Sequence, residues 1–312
     1  MPSIKEAAAV LRRGGLVAFP TETVYGLGAD ASNPAALARL YAVKGRPLHH
    51  PVIVHLGEAA QLARWAREIP RHAETLAERF WPGPLTLVLR RAKGVSDELT
   101  GGQDTIGLRV PGHAVALELL REFGGGIAAP SANRFGRISP TTTEHVRRDL
   151  GSDVDVILDG GACEIGIEST IVDVSRGRPV LLRPGRISED DIARALGAGP
   201  APRDAAAPRA PGALDSHYAP RHPLRLVSRD WDARVRGDSS GRGVMSFRAR
   251  PAEDASMIWI EASSDARNYA HDLYANLRAL DESGCREIVV EEPPATGEWA
   301  AIRDRLMRAR SR

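Results

Sequence analysis

The chain has 312 residues, a formal net charge of +2, a hydrophobic fraction of 43% and a charged fraction of 26%. These values lie near the averages for folded globular proteins, which excludes disordered and collagen-like classes and leaves room for one large domain or two ordinary ones. With so little net charge, any affinity for nucleic acid must come from a local patch and not from the global field. Cys163 and Cys285 are the only cysteines and have no CxxC partner, so structural zinc and a disulfide framework are not expected. No run of eighteen apolar residues occurs, and the N-terminus reads as a short helix followed by glycines and not as a signal peptide. A soluble, cytoplasmic protein without membrane partners is the expectation.

In chain order, Ser3 to Arg13 carries helical spacing at Ile4, Ala8 and Leu11, a capping box from Ser3 and Glu6, and a Gly14-Gly15 stop. Leu16 to Phe19 predicts a buried strand. Thr21, Glu22 and Thr23 follow it, and the chain is expected to turn through Gly26 and Gly28. Asn33-Pro34 opens a helix that runs to Lys44-Gly45-Arg46-Pro47. Pro51 to Leu56 is an apolar strand ending at His55. Ala59 to Phe80 reads as a helical segment interrupted at Pro70.

Strands are predicted over Leu85–Leu89, Thr105–Val110 and Ile127–Ala129, with a helix from Ala114 to Phe123 between the last two. The polar loop from Ser131 to Thr143 leads to a helix capped by Thr142 or Thr143. Val154–Leu158 predicts a strand, and Ser169–Val174 with Val180–Leu182 a pair of strands. From Gly197 to Arg209 the composition shifts to an aperiodic, Pro/Ala/Gly-rich linker. A polar-aromatic cluster, Ser216-His217-Tyr218-Ala219-Pro220, follows. Strands at Leu224–Val227, Val244–Phe247, Ser256–Ile260 and Glu287–Val290 alternate with helices at Ala266–Asp281 and Ala300–Arg308, which predicts a small parallel α/β domain. The expected organisation is a catalytic domain over 1–196, a linker or lid over 197–222 and a C-terminal domain over 223–312.

P-loop, dinucleotide-binding, zincin and nucleophile-elbow motifs are all absent. No carboxylate cluster with metal spacing is evident, and no metal ligands are assigned. What the first 190 residues offer instead is a set of small polar or cationic residues at strand ends: Thr23, Lys44, Arg46, His55, Thr105, Arg109, Ser131, Asn133, Ser139, Ser169 and Arg183. Strand ends of an open sheet converge on one rim, so these groups are candidates for a shared cavity. Lys44 stands out because Lys5 and Lys93 are the only other lysines. Arg109, within the apolar run TIGLRV, requires an anionic partner if buried. Four cations without an evident nucleophile suit transfer at a phosphoryl centre by positioning and charge stabilisation, with the nucleophile supplied by a substrate.

The ordered blocks PTETVYGLGADA, KGRP with PVIVHL, FWPGPLTLVL, TIGLRVP, APSANRFGRISPT, GIESTIVDV and LLRPGRI resemble the YrdC/Sua5 family of threonylcarbamoyl-AMP synthases. PGALDSHYAP and the segment after it resemble the linker and C-terminal domain of the longer Sua5 type. The resemblance implies a YrdC-like twisted, open mixed sheet with helices around a concave basic cavity, plus a small Rossmann-like parallel α/β domain. It implies condensation of L-threonine, bicarbonate and ATP, assisted by Mg²⁺, into threonylcarbamoyl-adenylate and pyrophosphate. A separate transferase would then pass the threonylcarbamoyl group to adenosine 37 of tRNAs that read ANN codons.

Carried over by position, Thr23, His55, Arg109, Ala129 and Ser169 would hold threonine, with Arg109 on its carboxylate. Lys44, Arg46, Thr105, Ser131, Asn133, Ser139 and Arg183 would hold ATP, with His217 reaching over the site and Lys44 and Arg46 stabilising phosphate charge. His50 departs from the family pattern, which has Asn there. As an ATP contact, its imidazole is expected to add a pH dependence near neutrality. Two other readings compete: a non-catalytic module binding tRNA or double-stranded RNA, and a carbamoyl-transfer relative from hydrogenase maturation, whose added zinc-finger segments this sequence lacks.

Overall fold

A computed structural model describes residues 2–212, 217–230, 241–250 and 257–310. The expected site groups fall within this range, whereas Ser216 and Ser256, placed above in the polar-aromatic cluster and at a strand start, lie outside the described residues. The chain divides into two units, Met1–Phe135 with Ser139–Ala213, and Gly136–Ile138 with Leu214–Arg312.

The first unit is built on ten strands: β1 (Val17–Phe19), β2 (Gly26–Asp30), β3 (Ile53–His55), β4 (Ala66–Arg67), β5 (Leu85–Arg91), β6 (Thr105–Arg109), β7 (Ile127–Ala128), β8 (Val156–Ile157), β9 (Thr170–Asp173) and β10 (Val180–Arg183). Their order is β10-β9-β5-β6-β3-β7-β2-β1-β8, with β4 on β5. Parallel pairs (β3/β6, β5/β9, β1/β8) stand beside antiparallel ones, so the sheet is mixed. Its apolar core gathers Leu27, Leu37, Leu40, Val54, Leu87, Leu108 and Val172, all essentially inaccessible to solvent.

Local signals explain how the site segments are placed. The helix Pro34–Lys44 begins at Asn33, whose side chain accepts from the backbone N–H groups of Ala35 and Ala36, and ends at Gly45 in the left-handed region (φ 63°). Only glycine takes that conformation without strain. The turn it makes puts Lys44 on the last helical turn and Arg46 at the start of the return.

Two expectations are corrected and one element is added. Gly26 and Gly28 do not turn the chain; they lie in β2, antiparallel to β1. A side chain at Gly28 would approach Ile127 to 2.8 Å and Phe19 to 2.9 Å, so this glycine serves close packing within a strand. The segment Ala59–Phe80 is not one interrupted helix. A short turn of helix (Leu62–Trp65) gives way to β4, Glu68 takes a left-handed φ of 54°, and the helix Arg71–Phe80 starts after Pro70. A helix over Glu189–Leu196, with a capping box between Ser188 and Asp191, is absent from the sequence reading.

The second unit is a four-stranded parallel sheet, as its alternating pattern predicts. Its strands are β11 (Leu224–Val227), β12 (Arg242–Ser246), β13 (Ile258–Glu261) and β14 (Glu287–Glu291), in the order β11-β14-β12-β13. Helices Ala266–Glu282 and Ala300–Ala309 accompany it.

Candidate active site

Arg109 ends β6 opposite His55, its register partner on β3. The residue is 3% exposed, and its guanidinium contacts are internal. Nε donates to the Gly83 carbonyl at 3.1 Å, Nη1 donates to Thr23 Oγ1 at 3.0 Å, and Nη2 stands 2.8 Å from Glu22 Oε1. The anion that a buried arginine demands is thus present, and it is Glu22, a residue outside the sequence-derived set.

Thr23 belongs to a directed chain of hydroxyls. Thr21 Oγ1 donates its single proton to the Val24 carbonyl at 2.6 Å, so in the 2.8 Å Thr21–Thr23 contact Thr23 must be the donor. With its proton committed inward and one lone pair taken by Arg109, Thr23 can offer a ligand only an acceptor.

His55 is buried against Phe19, ring edge to face at 6.1 Å. Burial, and then the nearby Arg109 charge, pull its pKa down to about 3, so it is a neutral imidazole at physiological pH. The sign of the linkage follows. An unfolded histidine takes a proton near pH 6.5, the folded one only near 3, so His55 contributes stability that is complete above pH 6.5 and lost as pH falls toward 3. The urea midpoint should therefore fall between pH 6.5 and 4, and His55→Gln should make that slope shallower; an unchanged slope would remove His55 as its source.

Ser169, immediately before β9, is buried and bonded to Thr86 Oγ1 at 2.8 Å. Arg183, at the end of β10, donates to its carbonyl from Nε (3.1 Å) and Nη2 (2.9 Å) and to its hydroxyl from Nη2 (3.1 Å). Nη1 of Arg183 bonds the Pro211 carbonyl at 3.0 Å, which ties down the linker just past its Pro/Ala/Gly-rich stretch. Ala129 follows β7, 5% exposed, its N–H on the Ile53 carbonyl.

A second cluster surrounds Lys44. The loop from Pro130 to Ala132 runs beside β2 through Leu27 N–H to Pro130 and Ala132 N–H to Tyr25. Lys44 Nζ donates to the carbonyls of Ser131 (2.6 Å) and Asn133 (2.5 Å) from a position 2% exposed. Burial first, then the Arg46 charge, lower its pKa well below the usual lysine range. In the ammonium form, two of its three donors fix the loop and one is left for a ligand. Arg46 donates to the carbonyls of His50 (3.3 Å) and Pro51 (2.6 Å) and lies over the Phe135 ring at 5.5 Å. Ser139 donates to Glu168 Oε1 at 2.6 Å, both groups buried.

The expected neutral-pH titration of His50 is corrected. Burial, followed by the charges of Arg46, His49 and Arg209, lowers its pKa to about 4, so it stays uncharged from pH 6 upward. Thr105 occupies the opposite end of β6 from Arg109, about 13 Å away at 3.3 Å per residue, so the groups do not all gather on one rim. His217 belongs to the second unit, where its N–H bonds the Arg308 carbonyl and its ring meets Tyr218 at 4.2 Å. Tyr218 itself has a left-handed φ of 63° and lies beneath the Arg305 guanidinium at 5.3 Å.

Sequence reasoning missed Glu22 and Phe135. The requirement of Arg109 for a counter-charge was the one signal pointing to the former, and an aromatic beside the Ser131–Asn133 segment the one pointing to the latter.

A family model described as "Telomere recombination", for Sua5, YciO and YrdC proteins, matches residues 9–185, and a model described as "Threonylcarbamoyl-AMP synthase, C-terminal domain" matches residues 187–311. A curated Pyrococcus abyssi protein named threonylcarbamoyl-AMP synthase is 39% identical, with 98% of this chain and 93% of that protein covered. A Bacillus subtilis protein of the same name is 40% identical, with 99% and 93% covered. Among solved structures, P. abyssi Sua5 complexed with L-threonine superposes with a TM-score of 0.89 at 37% identity, covering 98% of this chain and 93% of that one.

Proposed function

The chain belongs to the Sua5/YciO/YrdC family and carries that family's Sua5-type C-terminal domain, and from this premise we propose how its residues divide the work of a threonylcarbamoyl-AMP synthase. The activity is condensation of L-threonine, bicarbonate and ATP to threonylcarbamoyl-adenylate and pyrophosphate. The observation that best supports the division is the buried Arg109–Thr23 pair: a guanidinium fork for a carboxylate adjoins a hydroxyl able only to accept, as the side-chain O–H of threonine requires.

In this reading Thr23, His55, Arg109, Ala129 and Ser169 bind threonine. Lys44, Arg46, His50, Thr105, Ser131, Asn133, Ser139, Arg183 and His217 serve ATP. The threonine amine attacks the carbon of bicarbonate, a C–O bond breaks, and water leaves with one amine proton to give a carbamate, whose oxygen attacks the α-phosphorus. The bond from that phosphorus to the bridging oxygen breaks, and pyrophosphate leaves with the electron pair. Lys44, through its remaining N–H, and Arg46 compensate the charge that builds on the phosphates. Neutral His55 lines the threonine pocket without adding a second cation beside Arg109.

Mg²⁺ would be carried by the phosphates of ATP and would supply charge neutralisation there. No group of three or more His, Cys, Asp or Glu side chains among the described residues is placed to hold a metal by itself. A separate transferase passes the product to tRNA, and the enzyme works in the cytoplasm. Among the described residues no helix is long and apolar enough to cross a membrane.

The test is incubation with ATP, L-threonine and bicarbonate, following pyrophosphate release and adenylate mass. Threonine-dependent pyrophosphate is the expected result. Its absence with folded protein overturns the reading.

A further inference from the structure

Glu22 is the one buried carboxylate beside Arg109 that the assignment above leaves without a task. Its side chain is 8% exposed, that of Arg109 is 4% exposed, and they meet at 2.8 Å. The contact is an ion pair without a hydrogen bond, and neither Glu22 oxygen accepts one among the described residues. A buried carboxylate held by a single ion-pair contact is costly and calls for an explanation.

Geometry supplies one. Arg109 is gripped from three directions: Gly83 O on Nε, Thr23 Oγ1 on Nη1 and Glu22 Oε1 at Nη2. The first two are neutral and fix the near side of the fork. Among the described residues, only Glu22 acts on Nη2, and only Glu22 forms an ion pair with the guanidinium. The backbone holds Glu22 in turn, since its carbonyl accepts from Ile165 N–H, and a side chain at Gly112 would come within 3.4 Å of Oε1. Gly112 thus lies against the carboxylate, where a Cβ would make ordinary van der Waals contact with it.

We propose that Glu22 is a positioning residue: its carboxylate holds the Arg109 guanidinium in the one orientation that leaves free N–H groups for the α-carboxylate of the amino-acid substrate, and keeps the pocket from carrying an unbalanced buried cation when empty. This rests on the threonine-site reading given above. It assigns Glu22 no contact with the reacting atoms.

The experiment compares wild type, Glu22→Gln and Glu22→Asp by steady-state kinetics and by calorimetric titration with L-threonine, L-threoninamide and ATP. Glu22→Gln should raise KM for threonine by about 10- to 100-fold, as a small misplacement of a positioning group does, with kcat at saturating threonine and the ATP affinity little changed. The preference for threonine over its amide, which lacks the carboxylate, should shrink together with the affinity. Glu22→Asp, which keeps the charge on a shorter arm, should fall between the two and serves where the Gln variant does not fold. Threonine binding and selectivity matching wild type in either folded variant overturns the proposal. So does an equal loss of threonine and ATP binding with selectivity intact, the mark of a merely structural role. A wild type that releases no threonine-dependent pyrophosphate and binds no threonine overturns the functional reading instead.

Discussion

Lys44→Met should lower threonine-dependent pyrophosphate release by at least ~10²-fold, the usual scale for losing a charged group that stabilises a transition state. Two effects combine. The ammonium donates to the Ser131 and Asn133 carbonyls, so its removal frees the loop that carries both proposed nucleotide contacts. It also removes one of two adjacent buried cations, leaving Arg46 without its neighbour in compensating the phosphate charge. Lys44→Arg should not rescue. The slot is 2% exposed and fitted to a compact ammonium at 2.5–2.6 Å from two carbonyls, where a planar guanidinium has neither room nor matching geometry. Calorimetric threonine titration is the control, since the threonine cluster does not contact Lys44 through any described hydrogen bond. Wild-type turnover in Lys44→Met would remove the residue from the mechanism.

Lys44 also marks how far the sequence could be read. Its rarity among many arginines drew attention, and the helix before it and the glycine after it were predictable from capping rules. Its complete burial was not, because burial depends on a loop almost ninety residues away closing over it. Arg109 follows the same pattern. That an arginine in an apolar strand needs an anion is local chemistry and could be stated in advance; that the anion is Glu22 depends on the pairing of β6 with β3 and the turn after β1. The glycines of β2 misled because Gly signals a turn and a close approach equally well, and only the packing of Ile127 and Phe19 separates the two. His50 misled for a related reason. Its ordinary pKa is a property of the residue, whereas the burial and the arginines that lower it belong to the fold. In the second unit, the alternation of short strands and helices was enough to give a parallel sheet but not its strand order, since β11 pairs with β14, the strand farthest from it in sequence.

Arg109→Gln should reduce kcat/KM for threonine by roughly 10²- to 10⁴-fold, because two charge-assisted hydrogen bonds at about 1.5–3 kcal/mol each are lost. ATP affinity should be nearly preserved. The same change leaves Glu22 buried without its counter-charge, so it should also destabilise the fold by about 3–5 kcal/mol. The two consequences are separable. Replacing the whole pair, as in Arg109→Met with Glu22→Leu, removes both charges and fills the space with apolar side chains, which is often neutral or stabilising. That double variant should recover the urea midpoint of the wild type while binding threonine no better than Arg109→Gln. Recovery of threonine binding along with stability would mean that Arg109 serves the fold alone and that the amino-acid carboxylate is held elsewhere.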